Sequence, residues 1–405
     1  MTIRTTIERL GHRGDGVAPG PVFVPMALPG EVVEGVLDGD RLSDVKIIEP
    51  SPDRVRPPCR QFKSCGGCSL QHVSDGFLAQ WKAAVVQKAL AAHGLDAEVR
   101  QLAVSPPGTR RRATLSGRRT KKGAIVGFHG RASDTIVEIP DCKLLVPELM
   151  DVIPALREII LTGASRKAAL SLAVTSSAAG VDVAASGGKP LDAALRETLA
   201  AQAARFGLAR LTWNGETVAC LHPPVQQMGG AQVVPPPGAF LQATETGQTA
   251  LVSEVLRITD GARRLADLFS GCGTFSLPLA STSEVHAVEG DAALLLALNH
   301  GWRHATGLKE VTTEERDLFR RPLLADELRR FDAAVINPPR AGAEAQVAEI
   351  AASGLQRIAF VSCNPQTFAR DVRTLVAAGF ELGPVQVVDQ FRWSPHVELV
   401  GALFR

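Results

Sequence analysis

From residue 236 to the end of the chain, runs that read as strands recur with helix-length spacers between them: RRLADLF, EVHAVEG, VTTEERD, FDAAVINPP, RIAFVSCN, VQVVDQF and VELVGALF. A helix returns the chain to the edge it left, so strands joined this way lie parallel, and only the last two runs are close enough for a hairpin. The expected fold class over 236–405 is therefore α/β, a doubly wound Rossmann-like sheet with a terminal hairpin. Such sheets bind ligands outside the carboxyl ends of their strands.

The first of these ends carries DLFSGCGTF, residues 267–275, a strand that runs into a Gly-rich turn and a helix. Gly271 and Gly273 let backbone approach a nucleotide-like ligand. Ser276 stands where a dinucleotide fingerprint has its third glycine, and Glu289 ends the next strand 22 residues after Asp267, placed to accept ribose hydroxyls. Together these favour S-adenosylmethionine over NAD. Asp317, in EERDLF, is positioned to take an adenine amino group or to cap a helix.

NPPRAGA (337–343) and VSCNPQTFARD (361–371) end the fourth and fifth strands. Cys363 there is either a core thiol or a nucleophile, and its place beside the cofactor loop and before a rigid Asn-Pro turn favours the nucleophile. The sixth strand should end near Asp389, so QFRWSPH turns the chain at the same edge and carries Glu398 towards Cys363.

Ahead of this domain, residues 1–52 alternate β-branched runs with glycine turns, as in PVFVPMALPGEVVEGVL, and predict a small barrel of oligonucleotide-binding type. A helix is expected over 77–93, with Leu78, Trp81, Val85 and Leu90 on its apolar stripe and Gly94 as its stop, placed to dock on the catalytic domain. Residues 53–235 otherwise predict a mainly-β central domain, closed by the proline-rich boundary 222–238. MTIRTTIERLGHRG lacks the apolar core of a signal peptide and no later run has the length of a membrane span, so a cytoplasmic protein that does not contact a membrane is expected.

In a reducing compartment the seven cysteines are better read as ligands, nucleophiles or core residues than as disulfides. CRQFKSCGGCSLQH (59–72) holds three of them, at a spacing that suits either zinc or an iron-sulfur centre. Net charge is only +2, yet GTRRRATLSGRRTKKG (108–123) gathers seven basic residues and no acid, as a polyanion site or a solvated hairpin does.

Taken in order, DLFSGCGTF, NPPRAG, SCNP and PHVE resemble the RNA uracil-C5 methyltransferases. The start of the chain is similar to a TRAM domain, through Gly14, Gly16, Val17, Ala18, Pro29, Gly30 and Glu31, and with the cysteine stretch it points to the 23S ribosomal RNA branch. The resemblance implies a class I S-adenosylmethionine-dependent methyltransferase domain, and a [4Fe-4S] cluster held by Cys59, Cys65, Cys68 and Cys142, with zinc as the alternative. It implies that Gln242, Phe269, Gly271, Gly273, Glu289 and Asp317 line the cofactor site, with Thr274 where relatives often carry Asn. Cys363 would attack C6 of a flipped uridine, Glu398 would remove the C5 proton, and Asn337 and Arg340 would face the base. The barrel and the basic segment would grip flanking RNA, Cys272 and Cys220 would be packing residues, and the protein would act as a monomer. A transfer RNA uracil-C5 enzyme is one alternative, and because the family usually has Asp where Asn337 stands, a non-catalytic RNA-binding protein and a base-nitrogen methyltransferase are two more.

Overall fold

The computed structural model describes residues 1–405. Its largest element is an eight-stranded sheet in the order Val311–Glu315, Glu284–Glu289, Arg264–Leu268, Ala333–Ile336, Arg357–Ser362, Glu398–Phe404, Glu381–Asp389 and Val99–Val104. The chain winds outward from Arg264–Leu268 in one direction and from Ala333–Ile336 in the other, so the switch point lies between these two strands. Glu398–Phe404 slots antiparallel between Arg357–Ser362 and Glu381–Asp389, which brings Glu398 to the carboxyl edge of its neighbours. Every residue of Ala333–Ile336 is buried, as expected of a central strand covered on both faces by helices.

Val99–Val104 corrects the domain boundary predicted at residues 53 and 235. It pairs parallel with Glu381–Asp389 and covers what would otherwise be an open sheet edge. The helix before it, Asp75–Ala92, begins at the Ser74 side chain and buries Leu78, Trp81, Val86 and Leu90, while Val85 stays half-buried. The hairpin Gln226–Met228 with Ala231–Val233 likewise joins the catalytic half, where Met228 and Val233 pack with Cys272 and Leu277.

Between these pieces stands a seven-stranded sheet in the order Ile136–Glu138, Ala124–His129, Arg112–Arg119, Leu170–Ser177, Gly180–Ser186, Arg210–Trp213 and Glu216–Cys220. Helices Ile153–Gly163 and Ala193–Arg205 cover this sheet, and the Ala-rich sequence of the second is a strong helix former. A six-stranded sheet of residues 2–49 forms the N-terminal unit around Ile7, Ala18, Val24, Ala27, Val33 and Leu42. Fully buried Glu31 closes it, accepting from Leu28 N at 2.8 Å and Arg54 Nη2 at 2.7 Å. No helix is long and apolar enough to cross a membrane.

Candidate active site

The turn after Arg264–Leu268 is shaped by backbone conformations that few residues adopt. Gly271 and Gly273 have φ of 57° and 97°, and Phe269 reaches 62° without being glycine. A Cβ at Gly273 would meet Leu277 at 2.9 Å, whereas Gly271 faces open space, as a ligand-approach position requires. Asp267, wholly buried beneath the turn, accepts from Ser276 Oγ at 2.5 Å, and burial raises its carboxyl to about 7. Glu289 receives the amides of Gly271 at 3.0 Å and Gly290 at 2.7 Å, which holds its carboxylate at the mouth of the turn. Asp317 accepts from Phe319 N at 3.0 Å, and the Phe319 ring lies 5.3 Å from that of Phe269.

Phe269, Gly271, Glu289, Asp317 and Phe319 line a cavity of about 490 Å³ that also contains Gln242, Thr274, Asn337, Arg340, Cys363 and Glu398, whereas Gly273 shapes the turn without lining the cavity. Two loop contacts bring the fourth- and fifth-strand motifs together: Asn364 Nδ2 donates to Arg340 O at 2.9 Å and Thr367 Oγ1 to the same oxygen at 3.3 Å. Asn364 also caps helix Pro365–Ala377, so Cys363 is held between a strand end and a capped helix. Cys363 and Arg340 line a second, wider groove of about 780 Å³ as well, whose far wall carries Arg9 and His12 of the N-terminal unit and Trp81 and Lys88 of helix Asp75–Ala92. The thiol thus stands where the two spaces meet.

Burial raises the Cys363 thiol above its ordinary range and the nearby Glu398 carboxylate adds to the effect, while Arg340 opposes both. Glu398 is 3% exposed, and burial raises it to about 7 against the hydrogen bond from Gln390 and the charges of Arg112 and Arg340. A half-buried thiol, a near-neutral carboxyl and a nucleotide-sized cavity behind them suit addition to a base followed by proton removal.

Residues 303–405 match the tRNA (Uracil-5-)-methyltransferase family. Over 98% of both chains this protein is 44% identical to an RNA methyltransferase of Rhizobium meliloti. It is 33% identical to the 23S rRNA (uracil(1939)-C(5))-methyltransferase RlmD of Nitrosococcus oceani, over 99% of this chain and 95% of that one. The chain belongs to the RNA uracil-C5 methyltransferases. It is an enzyme of the S-adenosylmethionine-dependent kind. The fold also matches the Pyrococcus abyssi tRNA (uracil-54, C5)-methyltransferase in complex with S-adenosyl-L-homocysteine, with a TM-score of 0.78, 24% identity and 99% of each chain covered.

In this uracil-C5 methyltransferase the basic segment is divided, contrary to a single polyanion site. Arg111 is 6% exposed and is consumed by Gln242 O at 3.2 Å, Gln226 Oε1 at 3.4 Å and Gln248 Oε1 at 2.6 Å. Arg112 turns inward too, its guanidinium 4.3 Å from the centre of the Phe240 ring. Of the segment's basic residues only Lys121 and Lys122, at the hairpin tip, are exposed. Cys272 is buried, but Cys220 is exposed and is not the packing residue expected.

Cys59, Cys65, Cys68 and Cys142 line one small cavity with Phe62, Phe128, Ile139 and Leu144. Arg131 secures the loop by donating to Phe62 O at 3.0 Å and to Cys68 O. Burial pushes the Cys68 thiol up to about 12 and raises Cys65 and Cys142, so these sulfurs ionise only beside added positive charge. No three His, Cys, Asp or Glu side chains converge closely enough to hold a single metal ion.

Sequence reasoning missed Gln390, which bonds both Gln242 and Glu398, and Trp393, whose carbonyl accepts from Ser69 N at 2.8 Å and Leu70 N at 3.0 Å. Both lie in the turn before Glu398, where no motif or periodicity marks them.

Proposed function

We propose that this enzyme methylates C5 of a uridine in ribosomal RNA through a covalent adduct on Cys363. The supporting observation is that Cys363 and Glu398 share one cavity with the Gly-rich cofactor turn, while Cys363 also borders the groove open to the N-terminal unit. The ribosomal substrate is inferred from the relative named as a 23S rRNA enzyme.

Uracil C5 is a weak nucleophile until C6 is attacked. The Cys363 thiolate adds to C6, the electron pair moves to O4 as an enolate, and C5 then takes the methyl group from the sulfonium of S-adenosylmethionine. Glu398 removes the C5 proton, the C5=C6 bond re-forms, and the C6–S bond breaks to return the thiolate. Asn337 keeps uracil recognition by accepting from N3–H through its amide oxygen and donating to O4 through its nitrogen. The six-stranded N-terminal unit is read as a TRAM-like RNA-binding domain, and the whole as a cytoplasmic monomer.

Cys59, Cys65, Cys68 and Cys142 are assigned to a [4Fe-4S] cluster. Their four sulfurs around one cavity, those of Cys65 and Cys68 buried and those of Cys59 and Cys142 half-buried, fit that assignment, with zinc as the alternative. The cluster's part here is structural.

The deciding experiment uses anaerobically purified protein, S-adenosylmethionine and ribosomal RNA transcribed with 5-tritiated uridine. Cofactor-dependent tritium release that disappears in Cys363→Ala supports the reading. No release with cofactor bound would move the function to a base nitrogen or to RNA binding without turnover.

A further inference from the structure

We propose that Gln390 is a positioning residue for removal of the C5 proton, dividing its side-chain NH₂ between the base Glu398 and the cavity amide of Gln242. The inference rests on the covalent reading above. Gln390 directly follows strand Glu381–Asp389 and is 1% exposed.

Its orientation is settled by a backbone donor: Ala243 N–H donates to Gln390 Oε1 at 2.8 Å, a contact that the flipped amide could not make. Nε2 then faces the cavity side, with one N–H directed to Glu398 Oε2 at 3.0 Å and the other to Gln242 Oε1 at 2.5 Å. The residue cannot shift easily, because a Cβ at Gly247 of helix Glu245–Ile258 would already lie 2.7 Å from Gln390 Cβ. Both polar groups of the amide are therefore satisfied, and the two donated bonds each hold a residue that lines the cavity, Gln242 and Glu398.

The bond to Oε2 leaves Glu398 Oε1 as the oxygen that takes the proton. When the C5–H bond breaks, its electron pair forms C5=C6, the C6–S pair returns to Cys363, and the proton ends on Glu398. A donor on the second oxygen keeps this carboxylate ionised against its burial. Arg112, Arg340 and Cys363 face Glu398 from three other segments, yet only Gln390 hydrogen-bonds its carboxylate. The second bond orients Gln242 so that its own Nε2, a donor, is left for the cavity.

The test compares wild type with Gln390→Met and Gln390→Leu by two readouts. Covalent adduct on 5-fluorouridine RNA reports attack and methyl transfer, and it stalls before proton removal because C5 carries fluorine. Tritium release from 5-tritiated RNA, measured against pH, reports the proton step. Adduct formation within about threefold of wild type is expected, with release at pH 7 about fivefold lower and its acid limb moved up by about one pH unit, so that alkaline pH restores release. Parallel loss of adduct and release would reduce Gln390 to an architectural contact, and an unchanged pH profile would remove its role. Absence of adduct in wild type would overturn the covalent reading itself.

Discussion

Lys82 Nζ lies 2.6 Å from Asp389 Oδ1, and neither side chain is more than 2% exposed. The pair joins helix Asp75–Ala92 to the last residue of Glu381–Asp389, and Lys82 also donates to Phe391 O at 3.1 Å. The chain thereby clamps the start of the turn that leads to Glu398.

Removing one member leaves the other charge buried and unpaired. Lys82→Met should lower stability by about 3–5 kcal/mol in chemical denaturation, and adding Asp389→Leu should recover much of that loss. A single-mutant cost under about 1 kcal/mol would show that water reaches the site.

Glu398 is raised to about 7, well above an ordinary carboxyl, and only its ionised form can accept a proton. Tritium release should therefore fall about tenfold per pH unit well below 7. Glu398→Gln should accumulate methylated covalent adduct while release drops by about 10²–10⁴-fold. Linkage has the opposite sense for stability. The folded state holds the proton more tightly than the unfolded chain, so this group's contribution to stability is present below pH 4.5 and is lost as pH rises through about 7. Glu398→Gln should accordingly melt higher than wild type at pH 8.

The Trp393 ring packs with Phe62, Cys68 and Leu144, so the catalytic turn is seated on the cysteine loop. Trp393→Ala should cost about 3–5 kcal/mol and reduce bound iron per chain, read by elemental analysis after anaerobic purification. Iron retained at the wild-type level would separate the two loops.

Cys142→Ser removes the proposed cluster ligand furthest in sequence from the other three. Loss of visible absorption together with iron is expected. Stoichiometric zinc in a colourless wild-type protein would replace the cluster assignment.

Lys121 and Lys122 are exposed, whereas Arg111 is bound within the protein. Replacing both lysines with Ala should reduce the dependence of RNA affinity on log salt by about 1–2 units of slope. Arg111→Ala should lower the melting temperature and leave that slope unchanged.

The central strands Ala333–Ile336 and Arg357–Ser362 were legible because buried parallel strands are short continuous apolar runs, and the capping Asn364 and the positive-φ glycines are local signals of the turns beside them. Cys363 and Glu398 were legible as a pair because strand direction alone carries both to one edge. Their meeting with Gln242 was expected only by resemblance, since nothing local ties FLQATETG to that edge.

Residue type and periodicity determined by themselves the doubly wound sheet, the Gly-rich turn and the two motif loops. Tertiary structure decided which arginines reach solvent, that Val99–Val104 joins the catalytic sheet, and that Gln390 lies between Gln242 and Glu398. The reason is physical: strand and turn preferences act over a few residues. The partners of a buried polar group, such as Lys82 and Asp389 at a separation of 307 residues, are chosen only when packing excludes water around them.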